Sequence, residues 1–133
     1  MRHIIHAVFA AFLLALPAAA QERDIEAVIG KQFEAFRAGE VSRAFAFASP
    51  AIRDRFRTPG NFAAMVRQGY PMVWQPGAVR FGPLRDEAGR LWQRVRVTDA
   101  QGRVHLLDYR MQRVDGAWRI GAVRILGAPG AGV

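Results

Sequence analysis

The chain has no cysteine. That excludes disulfide staples, thiolate metal sites and a lipid-bearing N-terminal cysteine, and it leaves stability to a packed core. A Walker loop, an H-E-x-x-H helix and a G-x-S-x-G elbow are also missing, so no metal or other cofactor is expected. Acid is scarce, with 11 Asp+Glu against 19 Lys+Arg and a formal charge of +8. Lysine is nearly absent: Lys31 stands alone among arginines, the composition a GC-rich genome produces without selection for any ligand. Long apolar runs are lacking too. The longest, Ala7 to Leu16, falls well short of the ~20 residues needed to span a bilayer.

That short run fits a secretory signal instead. Arg2 and two histidines precede it, and Pro17 and Ala18-Ala19-Ala20 follow it before Gln21. The expectation is a signal peptide over 1–20 and a periplasmic or secreted single domain over 21–133, with no transmembrane segment once the signal is removed. The mature charge is then 18 basic minus 11 acidic residues, or +7. An exported location makes nucleic acid an unsuitable partner and leaves anionic surfaces or an acidic protein as what the charge would suit.

From Asp24, the positions Ile25, Val28, Ile29, Gln32, Phe33 and Phe36 recur at helical spacing until Gly39. Val41, Ala44, Phe45 and Ala48 repeat the pattern up to Pro50. Ser49-Pro50 and Thr58-Pro59 each read as an N-cap with proline at the first helical position, where its missing N–H costs nothing. The first of these helices carries Ile52 and Phe56, and the second carries Phe62, Met65 and Val66 before Gly69. Each short helix has one apolar stripe that must be buried against something else.

From Ala78 the period changes to two, with turns at "RDEAGR", "DAQGR" and "VDGA". Four antiparallel strands follow. A three-residue loop at Ala100-Gln101-Gly102 pairs Asp99 with Arg103. Counting back sets Val97 against His105, Val95 against Leu107, Gln93 against Tyr109 and Leu91 against Met111. On the other face Arg94 meets Asp108 as a salt bridge, and Trp92 meets Arg110 as a cation-π contact. Val79 and Phe81 fall beside Val97 and Val95, while Trp118 and Ile120 join the apolar face. Val123 and Ile125 continue inward only if a bulge sits at Gly121-Ala122. The fold class is α+β, with short N-terminal helices packed into the concave face of a curved four-stranded antiparallel sheet and a loose tail over 127–133.

Helices against a curved sheet resemble the cone-shaped folds related to nuclear transport factor two, ketosteroid isomerase and the SnoaL-like cyclases. Within that superfamily, "FASPAIRDRF", "NFAAMVRQGYPMV" and "QRVRVTDAQGRVHLLDYRM" resemble a family of small exported bacterial proteins known as a domain of unknown function. The resemblance implies a pocket at the open end of the cone. Its enzymatic relatives place an acid or histidine base there.

The inward polar residues expected here are Gln93, His105 and Tyr109, with Tyr70 and Trp74 at the rim. None of the four acids from Asp86 to Asp108 is expected inward. Gln93 opposite Tyr109 either orients a weakly polar ligand or closes a structural hydrogen bond, with each other or with a buried water. The outward face gathers Arg80, Arg94, Arg96, Arg110, Arg119 and Arg124 among Leu84, Trp92, Val104 and Leu106. It reads either as a solvated face or as a docking surface for an acidic partner. The leading expectation is a non-catalytic domain binding a small, largely apolar ligand. The alternatives are a small lyase, isomerase or hydrolase using His105 or Tyr109, and an interaction module using the arginine face.

Overall fold

The computed structural model describes residues 18–127. The signal-like run up to Pro17 and the tail from 128 onward lie outside the described residues. Helix α1, Ala18–Arg37, begins seven residues before its apolar stripe, so its first turns are exposed or half-buried while Ile25, Ile29, Phe33 and Phe36 are buried. Its end is closed by Gly39 N–H donating to Phe36 O (3.1 Å) and Glu40 N–H donating to Ala35 O (2.8 Å). Helix α2, Val41–Ala46, follows at once. Gln32, 5% exposed, ties the two together by donating from Nε2 to Ala44 O at 3.1 Å.

Both Ser/Thr-Pro pairs start helices as expected. Ser49 Oγ accepts from Ile52 N–H at the start of α3, Pro50–Phe56, and Thr58 Oγ1 accepts from Asn61 N–H at the start of α4, Pro59–Gly69. A fifth helix, α5, Pro71–Trp74, was not expected. Its proline again sits at the first helical position, but Tyr70 supplies no side-chain cap, so the sequence carries only half of the usual signal.

The strands are β1 Val79–Glu87, β2 Arg90–Thr98, β3 Val104–Val114 and β4 Ala117–Gly127, in the order β1-β2-β3-β4 in one open antiparallel sheet. The β2–β3 register agrees at every expected pair, from Leu91↔Met111 to Val97↔His105, and Asp99 N–H donates to Arg103 O at 2.8 Å to close the hairpin. Val79 pairs with Val97 and Phe81 with Val95. The expected bulge in β4 is present: Arg110 pairs with Ala122 but Met111 with Ile120, which leaves Gly121 as the extra residue. A side chain there would have no room, because a Cβ would lie 2.5 Å from Gln112 Oε1 and 3.0 Å from Arg110 Nη2.

Two further bulges are corrections to a simple alternation. One falls late in β4, where Leu107 pairs with Ile125 but Leu106 with Gly127. The other falls in β1, where Phe81 pairs with Val95 but Leu84 with Gln93, so Gly82 and Pro83 together oppose Arg94. Proline has no N–H for a ladder, and a bulge accommodates it. The consequence reaches well beyond the turn: Leu84, expected outward, is rotated inward onto the core, and Arg85 is delivered to the outer face beside Trp92.

The core lies between α1 and the inner sheet face. Ile25, Ile29 and Phe33 meet Val95, Val97 and Leu107, all at 0–2% exposure. The helical layer is also stitched to the sheet by backbone. Ser49 N–H donates to Ile120 O and Ile120 N–H donates to Phe47 O, both at 2.9 Å, making a parallel bridge next to the Gly121 bulge. The segment ahead of α3 thereby covers part of the edge strand β4. Ile125, expected inward, has the inward register but stays 47% exposed, because the bridge ends before it.

Candidate binding cavity

A cavity of about 450 Å³ lies where α3, α4 and α5 stand off β3 and β4. Its wall is mostly apolar, with Phe36 from α1, Ile52 and Phe56 from α3, Phe62 from α4, and Ile120 and Val123 from β4. Exposed Arg55 and Gly69 stand at its mouth. Two of the helices that frame it, α3 and α4, are the ones that the two capped prolines start, and their stripes supply much of the wall.

Tyr109 forms the floor. It sits on the inward register of β3 between Gln93 and Val123, is 0% exposed, and packs its ring 6.0 Å from that of Phe33 at 53°. Its hydroxyl has no hydrogen-bond partner among the described residues. Burial pushes the phenol pKa far up, and the neighbouring Tyr70 pushes it the same way, so Tyr109 is a neutral hydroxyl at any ordinary pH. Tyr70 lines the cavity as well and donates from its hydroxyl to Val123 O at 3.2 Å.

The other expected inward residues lie elsewhere. Gln93, 1% exposed, does not face the cavity. Its Nε2 donates to Gly82 O (2.8 Å) and Arg94 O (2.9 Å), serving carbonyls at the β1 bulge. His105 stands at the hairpin end, one-quarter exposed, with Nε2 2.8 Å from Asp99 Oδ2. Asp99 therefore corrects the expectation of no inward acid, since the alternation through Gln93, Val95 and Val97 carries on to it. The hydrogen bond with His105 holds its carboxyl down at about 2 against the opposing effect of burial, with help from the N–H groups of Arg103 and Gln101. Trp74 lies between Phe36, at 5.8 Å, and the guanidinium of Arg67, at 5.2 Å, and is outside the cavity wall. Tyr109 and Tyr70 are thus brought together, while Gln93, His105 and Trp74 are not.

The outer face is organised around one buried acid. Asp108, 1% exposed, accepts from Arg85 (2.7 and 3.1 Å), Arg94 (2.8 Å) and Arg124 (3.3 Å). Burial raises its pKa, but the hydrogen bonds from Arg85 and Arg94 outweigh that and hold it at about 2. The expected Arg94–Asp108 bridge is present as part of this larger group. The cation on Trp92 is Arg124, 3.6 Å from the ring centroid, and not the expected Arg110, which donates to Gly121 O at 3.1 Å. The bulge exposes that carbonyl, and Arg110 turns to it. Arg119 donates to Trp118 O at 3.1 Å, and Arg80 and Arg96 stay exposed and adjacent.

Arg55 and Arg85 were missed in the sequence, Arg55 because an exposed arginine on a short helix gives no signal and Arg85 because the bulge reverses its face. Among the described residues no group of three or more His, Asp or Glu is placed to hold a metal, and no helix is long and apolar enough to cross a membrane. No curated protein and no solved structure matches the sequence. A family model described as a domain of unknown function, DUF4864, matches residues 18–133, nearly all of the chain, and the chain belongs to that family.

Proposed function

We propose that this chain is an exported, non-catalytic domain that holds a small, largely apolar molecule with one hydrogen-bonding group. The observation that carries the reading is the Tyr109 hydroxyl: buried, without a partner among the described residues, and on the floor of an apolar cavity. An unpaired buried hydroxyl costs about 1–3 kcal/mol, and a ligand group that meets it recovers that cost. Ligand entry shifts Tyr70, half-buried and held by one 3.2 Å bond, from beside the floor. The volume of about 450 Å³ lies in the range of sites for small molecules.

The binding reading is favoured over an enzymatic one because a phenol whose ionisation burial suppresses is no base at neutral pH, and because His105 lies outside the cavity. Export is supported by the pattern of the first twenty residues, and cleavage after Ala20 would remove only exposed or half-buried residues from the start of α1. Helices on an open antiparallel sheet with bulged strands support kinship with the cone folds.

Tyr109→Phe tests the reading. Removing an unpaired hydroxyl should raise the stability of the empty protein by about 1 kcal/mol. Capture of small molecules from a periplasmic extract, read by native mass spectrometry, should weaken by about tenfold for the lost hydrogen bond. A wild type that captures nothing, together with a variant that only melts differently, would end the binding reading.

A further inference from the structure

A second concavity, of about 430 Å³, lies at the other end of the sheet and shares no residue with the Tyr109 cavity. It arises because the strands end unevenly. The last β2–β3 pair is Leu91↔Met111, whereas β3 and β4 stay paired out to Val114↔Ala117. The β3–β4 hairpin therefore projects past β2 and leaves a groove beside the start of that strand.

The groove is lined by Arg90, Arg110 and Arg113, with Trp118 beside them and Leu91 and Met111 as its apolar part. Its charged groups are all donors, and no carboxylate lines it. The three arginines take part in no ion pair among the described residues, in contrast to Arg85, Arg94 and Arg124, which share Asp108. Of the nearby acids, Asp86 accepts from Gly89 N–H and Glu87 pairs with Arg85 and Arg124, while Asp115, in the hairpin turn two residues from Arg113, does not line the groove. Arg110 gives one N–H to Gly121 O and keeps its others. Trp118 is 8% exposed, and its Nε1–H, a donor only, has no partner among the described residues. The Arg113 guanidinium lies over its ring at 5.2 Å.

We propose that this groove binds an oxyanion carried by a small molecule, a phosphate or a carboxylate, seated between Arg90, Arg110 and Arg113 with Trp118 as an additional donor. Guanidinium groups match both anions through paired N–H donors. Leu91 and Met111 give the groove room for a short apolar portion beside the anion. Arg113, exposed and held mainly by stacking, moves off the indole ring to admit it.

The test is a titration of the ¹⁵N-labelled full chain with sodium phosphate and, separately, with sodium acetate. Potassium chloride at matched ionic strength is the reference. The indole Nε1–H signals of the tryptophans are followed, and that of Trp118 is identified by its loss in Trp118→Phe. The expected result is a saturable displacement of the Trp118 signal, weakened about tenfold in each of Arg90→Gln and Arg113→Gln and unchanged in Arg80→Gln. Both altered arginines are exposed, and retention of the remaining amide spectrum shows that the variants fold. Displacement by phosphate alone assigns the groove to phosphate esters, and displacement by both anions extends it to carboxylates. A Trp118 signal that moves only as chloride moves it, or equally in Arg113→Gln, overturns the proposal.

Discussion

Asp108 shows how much one residue can organise. It is a carboxylate at 1% exposure that accepts from three guanidiniums, and each of those arginines is itself partly exposed. Removing the acid leaves three converging cations, whereas removing one arginine leaves the acid with two. Asp108→Asn should therefore destabilise by about 2–3 kcal/mol and Arg94→Ala by about 1 kcal/mol, as measured by urea denaturation of the two variants. Equal costs would mean that the group is no more than a set of separate surface pairs. The same logic of unmet partners marks Tyr109 and Trp118, whose polar atoms are buried without bonds among the described residues. Their side chains were legible in the sequence as inward positions of β3 and β4, but that they lack partners was not. Whether a hydroxyl is met depends on atoms far away in the chain.

Among the elements, the hairpins carry most of the register. Gly102 has φ +79 in the three-residue loop, where Asp99 Oδ1 also accepts from Gln101 and Arg103 N–H groups at 2.9 Å. Gly121 is constrained differently, by crowding from Gln112 and Arg110 and not by its dihedral. Gly102→Val should cost about 1–2 kcal/mol through backbone strain, with the sheet otherwise unchanged. Gly121→Val should cost more, about 2–3 kcal/mol, because overpacking disturbs the bulge and the adjacent Ser49–Ile120 bridge. Thermal melts rank the two, and amide exchange at Ser49 and Ile120 reports the bridge, which should loosen only in Gly121→Val. The helices were legible at this scale because Ser49-Pro50 and Thr58-Pro59 combine a cap with a preset backbone. α5 was not, because Tyr70-Pro71 offers the proline without the cap.

For the whole molecule, pH acts chiefly through two carboxylates held at about 2, Asp99 and Asp108. An acid whose folded pKa is depressed contributes its stability in full above the unfolded value of about 4 and loses it as pH falls through the folded value. The contribution of these two carboxylates should thus be level above about pH 5 and fall between about pH 4 and pH 2. Asp108 accounts for at most about 2 kcal/mol of that fall, and less once solvent screening around its partly exposed arginines is counted. Growing repulsion in a chain already at +8 adds to it. Circular-dichroism melts across this range check the window, and Asp108→Asn should flatten the slope.

What the sequence determined by itself was much of what depends on neighbours a few positions apart. Caps, proline positions and turn chemistry set α3, α4 and the hairpins, and a period of two with a known turn set each pair from Leu91↔Met111 to Val97↔His105. What only the tertiary structure decided was which groups meet across the fold. A single extra residue at Gly82-Pro83 sent Leu84 inward and Arg85 outward, gave Gln93 bulge carbonyls to serve and took it out of the cavity. The Gly121 carbonyl drew Arg110 away from Trp92 and left that ring to Arg124. The space above Tyr109 exists because α4 packs against α2 and α5, and α3 against α4, and together they leave part of the sheet uncovered. Local sterics and hydrogen bonds are encoded within a few residues, whereas cavities and shared guanidiniums depend on where whole elements come to rest.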